Sequence, residues 1–205
     1  MDDLLDQILC IIKSLKDDEH KLQQILDYLE TEVVDEYDYD NPMANVPEKY
    51  KPLINEIAQY IDMDMLCFVN PETAELDFIP QEIYFESNYD DDPEEIKKEL
   101  IEQHGWEVAK FLDWKESIDF VPLPSFESFQ IMEDYVQQLP EDEKLLSRLI
   151  NALRNRKPFA NFGRIIDNSD LRENWFEFKQ SWLEKLVARE LLEKLENLKQ
   201  NNNEI

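Results

Sequence analysis

Only Gly105 and Gly163 supply glycine to a chain of 205 residues. Glycine enters positive-φ backbone at little cost and lets a main chain approach a ligand closely. A phosphate-binding P-loop or a dinucleotide-binding turn needs several glycines within a few positions, so neither exists here in standard form. A G-x-S-x-G nucleophile elbow is excluded for the same reason. The scarcity also favours a helix-rich fold.

The stretch from Ser125 to Leu186 has the cleanest helical periodicity. Phe126, Phe129, Ile131, Met132, Tyr135, Val136 and Leu139 recur at three- and four-residue spacings, the pattern of one buried helix face. Ser125 is expected to cap this helix and Pro140 to stop it. A second helix is expected through Leu145, Leu146, Leu149, Ile150 and Leu153, its start charged or capped by Glu141 or Asp142, with Pro158 breaking the chain after it. Asp170, with Glu173 three residues on, reads as a capping box for a long last helix. Leu171, Trp175, Phe178, Trp182 and Leu186 then form its apolar stripe. Such aromatics either pack a core or anchor a partner.

Four pieces of this stretch resemble a known pattern. They are Pro122 to Ser125 (PLPS), Met132 to Tyr135 (MEDY), Ala152-Leu153 with Phe159 and Phe162, and Arg172 to Phe178 (RENWFEF). Together they resemble the running signature of a bacterial family known only as uncharacterised protein family 0158, over roughly residues 65–186. Members tend to carry glycine and basic residues around the paired phenylalanines, where this chain has Arg156, Lys157, Pro158, Ala160 and Asn161. The resemblance implies a fold and a bacterial source, and no activity, cofactor or site.

The formal net charge is −27, and it is unevenly placed. Residues 1–140 hold nine Lys/Arg against thirty-six Asp/Glu, whereas residues 141–205 hold twelve of each. A surface this acidic repels nucleic-acid phosphate and anionic lipid, so no direct nucleic-acid partner and no membrane are expected. It serves solubility, attracts basic proteins, or mimics nucleic-acid charge as a decoy. Cys10 and Cys67 have neither metal nor redox spacing and read as small apolar packers. The first apolar run is short and its flanks acidic, which fits neither a signal peptide nor a spanning helix, so the expected compartment is the cytoplasm.

In chain order, residues 1–32 read as a helical hairpin, through Leu4 to Leu15 and then Leu22 to Leu29. Residues 33–46 read as an acidic linker; counted from Asp35 or Asp38 they lack the glycine and bidentate glutamate of a calcium loop. Residues 47–198 form the expected core domain, ending in the long helix, with a disordered tail over 199–205. A helix is expected from Pro47 through Ile61, then short strands at Met65 to Val69 and Leu76 to Pro80, which Ile83 to Phe85 could extend. Pro93 opens a helix that runs to about His104, and Ile118 to Pro122 reads as a third strand. The fold class is α+β, mostly helical with a small antiparallel sheet of short strands.

Chemistry is sparse. His20 lies in a charged, solvent-facing run, and His104 at a helix end reads as compensating the helix dipole. Forty-eight acids supply close carboxylate pairs by chance, so no pair stands out. No metal ligand set and no cofactor are expected. Arg148, Arg154, Arg156, Lys157, Arg164 and Arg172 cluster in an otherwise acidic protein. They either offset the acidic half internally or grip a carboxylate, a phosphate or an acidic segment. The expected function is a non-enzymatic protein-interaction or regulatory module with another protein as partner. Its candidate binding residues are Arg154, Arg156, Lys157, Phe159, Phe162, Trp175 and Phe178. The alternative is a small carboxylate-dependent hydrolase.

Overall fold

The computed structural model describes residues 19–28, 41–82, 110–141 and 144–203, with Leu15 and Glu102. The chain divides into two compact units, Met1–Asn45 and Val46–Ile205. In the first lie helix α1 (Glu19–Tyr28) and the single turn α2 (Pro42–Asn45), the latter inside the stretch expected as a linker. The first helix of the expected hairpin, most of the acidic linker, the Ile83 to Phe85 extension and the body of the Pro93 to His104 helix lie outside the described residues.

The second unit is α+β and mainly helical. Its elements are α3 (Lys51–Asp62), β1 (Met65–Val69), β2 (Leu76–Pro80), a 3-10 turn (Lys110–Asp113), β3 (Ile118–Phe120), α4 (Ser125–Gln138), α5 (Leu146–Arg154), α6 (Pro158–Asp167) and α7 (Arg172–Asn203). The sheet is antiparallel with order β2-β1-β3, so β1 is central. Cys67 opposes Phe78 on one side and Phe120 on the other. Four of the five β1 residues are buried, because both faces of the strand are covered. Leu66 and Phe68 pack with Ile79 and Phe111, Phe68 lying flat on Phe111 at 3.7 Å. On the opposite face Tyr60 of α3 stacks on Phe78 at 4.0 Å. Cys67 is fully buried, and desolvation first, then the Glu56 and Asp77 carboxylates, push its thiol up to about 12. It is a packing residue with no thiolate chemistry at neutral pH.

Helix α7 is the spine: it packs on α3, α4, α6 and β3. Leu183, Val187, Ala188 and Leu191 are buried along it. Trp182 donates its indole N–H to Asp134 of α4 at 3.0 Å, and Lys194 reaches the Asp119 carbonyl of β3. Helix α7 continues to Asn203, into the stretch expected as a tail. No helix among the described residues is long and apolar enough to cross a membrane.

Several boundaries differ from expectation. The helix expected from Pro47 starts at Lys51, with Pro52 in its first turn. Ser125 is the first residue of α4; the cap position falls on Pro124 and no side chain caps it. Helix α5 begins after Leu145, again without a side-chain cap. Helix α7 begins at Arg172, one residue later than a cap at Asp170 would start it, and the Ser169 hydroxyl accepts from the Leu171 amide instead. The largest difference is at Pro158, which opens α6. Proline is well suited to a first helical position, where its missing amide hydrogen would bond nothing.

The scarcity of glycine has a structural consequence. Asp64, Ala74 and Lys157 all adopt positive φ, at 58°, 58° and 60°. Ala74 closes the β1–β2 turn, where the Asn70 side chain accepts from the Glu72 and Thr73 amides. Left-handed backbone costs a residue with a Cβ roughly 1–2 kcal/mol. Ala74→Gly is therefore expected to raise stability by about 0.5–1 kcal/mol, after the entropy that glycine adds to the unfolded chain. The readout is a higher urea midpoint at unchanged slope. A lower midpoint would mean that the Ala74 methyl group contributes more in packing than it costs in strain.

Candidate binding site

Helices α5 and α6 form a hairpin that buries one face and opens the other. Leu149 and Ala152 of α5 and Phe162 and Ile166 of α6 point inward. Leu149, Phe162 and Ile166 join Met132, Tyr135 and Val136 of α4 in one apolar cluster. The outer face repeats a different chemistry at helical spacing. Arg148 and Asn151 of α5 lie on it with Asn155 at the end of that helix, as do Asn161 and Arg164 of α6 with Asn168 at its end. These residues, with Arg156 from the connecting turn, line a cleft of about 750 Å³. The left-handed Lys157 between the helices reverses the chain sharply enough for the two faces to meet.

Three of the asparagines are held by backbone carbonyls close by in the chain. Asn155 donates to the Asn151 carbonyl at 2.6 Å, Asn161 to the Arg156 carbonyl at 2.8 Å, and Asn168 to the Arg164 carbonyl at 2.8 Å. One amide hydrogen on each remains for a ligand. Arg164 leans on Asn161 Oδ1 at 3.4 Å. The cleft lining holds three arginines and no carboxylate. None of the three makes an ion pair with a described residue; Arg172 does, with Asp167 of the same neutral half, at 3.8 Å. Guanidinium groups without an ion pair among the described residues, set beside neutral donors, suit a carboxylate or phosphate, which they grip two-pronged.

The residues expected as one binding surface fall into separate places. Arg156 lines the cleft. Arg154 and Lys157 are exposed and line none of the four hollows described for this unit. Phe162 is only 2% exposed and meets Tyr135 and Trp175 edge-on, so it packs the core and offers nothing to a partner. Phe159, 46% exposed, and half-buried Trp175 line a small cavity beside Asp62, Asp64 and Lys179. Phe178 packs against Tyr135 and borders a third hollow with Leu139 and Pro140. The asparagines were missed by sequence reasoning. Their signal was the i, i+3, i+7 spacing they share with Arg148 and Arg164 on the two helices.

Among described carboxyls a shift is resolved only for Glu190 of α7, and it lines none of these hollows. Burial raises its pKa above the usual glutamate range, against the pull of Lys194 at 3.7 Å; the Glu127 and Asp119 charges push with burial. A carboxyl raised in this way stabilises the fold fully below the ordinary glutamate pKa, and that contribution is lost as pH rises through the raised value. Glu190→Gln should therefore match the native protein near pH ~4 and become the more stable of the two toward pH ~7. Thermal unfolding at both values checks this. A variant weaker at the higher pH would mean that the Lys194 pair outweighs burial.

The model of a family described as an uncharacterised protein family (UPF0158) matches residues 92–202. The match begins later than the resemblance noted at residue 65 and extends past Leu186. No curated protein and no solved structure matches the chain. The matched segment spans just over half of the sequence and takes in β3, the aromatic cluster around Tyr135 and the whole α5–α6 cleft, so the chain belongs to the uncharacterised protein family UPF0158.

Proposed function

We propose that this protein is a non-enzymatic interaction module whose α5–α6 cleft takes a short carboxylate-bearing segment of another protein. The observation that supports it is the cleft lining: Arg148, Arg156 and Arg164 without a carboxylate among them, in a chain of net charge −27. A long polyanion such as duplex nucleic acid meets the whole acidic surface and is repelled. A segment with one to three carboxylates meets only the neutral C-terminal half, and at physiological salt the repulsion fades over about 8 Å. Salt then weakens the attraction and relieves the repulsion together, so a shallow salt dependence is expected. The hydrolase reading has less support. Two pairs of carboxylates share a hollow: Asp62 with Asp64, the first tied to Lys179, and Glu72 with Glu116, beside Lys115 in a hollow of about 40 Å³.

The test is fluorescence anisotropy of a labelled ten-residue Asp/Glu-rich peptide against the full chain and its Arg148/Arg156/Arg164→Gln form. Saturable binding that the triple change abolishes supports the reading. Absence of binding, or equal binding by both forms, contradicts it. A labelled oligonucleotide that competes through the same arginines would replace the peptide reading with a nucleic-acid one.

A further inference from the structure

A second site lies between α3, α4, α6 and α7. Ile61, Ile131 and Met132 are buried beneath it, and Trp175 and Phe159 stand at its aromatic side. Its volume is about 130 Å³. An apolar cavity of about 150 Å³ holds one benzene ring, so this one suits a body of that size. Its polar edge is acidic. Asp62 closes α3 and is paired with Lys179 of α7. Asp64 lies two residues on, and its carboxylate has no hydrogen bond or ion pair with a described residue. The backbone of Asp64 is held at both ends: its amide donates to the Ile61 carbonyl at 3.3 Å and its carbonyl accepts from Gln81 at 3.0 Å. The side chain is thus mounted on a fixed turn, at φ 58°.

Among the described residues the charges at this edge do not balance. Lys179 answers one carboxylate and leaves the other, and the C-terminal end of α3 adds its own negative pole. The rings of Trp175 and Phe159 line the same cavity, and aromatic rings attract cations. We propose that this cavity binds a small primary amine as its ammonium ion. The apolar body lies against Met132, Ile131 and Trp175, and the ammonium donates to Asp64.

Benzylamine is the probe, and the full-length protein is the target. Its eight non-hydrogen atoms suggest a dissociation constant on the order of 1 mM. Titration is followed through the indole N–H resonance of Trp175, assigned by its loss in Trp175→Phe. The expected result is a saturable shift, with affinity at least about tenfold lower for benzyl alcohol, which keeps the ring and lacks the charge. Asp64→Asn should weaken the amine similarly and still fold, since asparagine tolerates left-handed backbone as aspartate does. No saturable shift, or benzyl alcohol bound as tightly as the amine, would overturn the assignment. The alcohol comparison uses the native sequence, so it stands whatever the variant does.

Discussion

Phe162→Ala is expected to destabilise the protein by about 3–5 kcal/mol, whereas Phe159→Ala three residues earlier is expected to cost under about 1 kcal/mol. The two residues look equivalent in sequence. In the structure Phe162 is 2% exposed and Phe159 46%. Phe162 sits between the Tyr135 ring at 6.4 Å and the Trp175 ring at 4.9 Å, both edge-on, with Leu149 and Ile166 in the same cluster. Truncation removes the buried ring and leaves a void that the α5–α6 hairpin cannot close without moving. Phe159 touches Phe129 edge-on at 6.3 Å and is otherwise half in water. For a chain of this length the Phe162 change lowers the unfolding midpoint by about 10 °C. The check is thermal unfolding of the two single variants. Comparable midpoints would mean that the α6 core face is misassigned.

The second large effect is on binding. Arg148→Glu with Arg164→Glu is expected to weaken an acidic peptide at least about 100-fold. Each charge-assisted hydrogen bond to a carboxylate contributes about 1.5–3 kcal/mol, and every 1.4 kcal/mol is tenfold. Reversal adds repulsion to that loss. Stability should change by less than about 0.5 kcal/mol, because both side chains are exposed and neither forms an ion pair with a described residue. That pairing of outcomes separates two accounts of the arginines. A binding surface loses ligand and keeps stability. An internal counter-charge to the acidic half loses stability as well.

What was legible in the sequence follows from how local its cause is. β1 and β2 match their apolar runs at both ends, since a short apolar run bounded by Asp64 and the Asn70 turn leaves little freedom in where the strand begins and ends. The apolar face of α4 was readable over Ile131, Met132, Tyr135 and Val136, which repeat at helical spacing and are buried, but not at Phe126, which lies in the first turn and is 71% exposed. Helix α6 was hidden because a proline after a helix reads as a stop, and Pro158 is as good a start. The cleft was half legible. Charge alone marked the arginines, but Asn151, Asn155, Asn161 and Asn168 carry no charge, and only the packing of α5 on α6 sets them opposite one another. The split between Phe159 and Phe162 depends on which way α6 is rolled against α4, a tertiary fact that spacing does not contain.

The most direct test of the cleft is a residue-resolved map of where an acidic peptide lands. Backbone amide resonances of the isotope-labelled full chain would be followed as the peptide is titrated. The account predicts that the largest shifts fall on residues 148–168, centred on Arg148, Asn155, Arg156 and Arg164, while Glu190 and the β1–β2 turn stay unmoved. Shifts spread evenly over the surface, or concentrated away from α5 and α6, would contradict it.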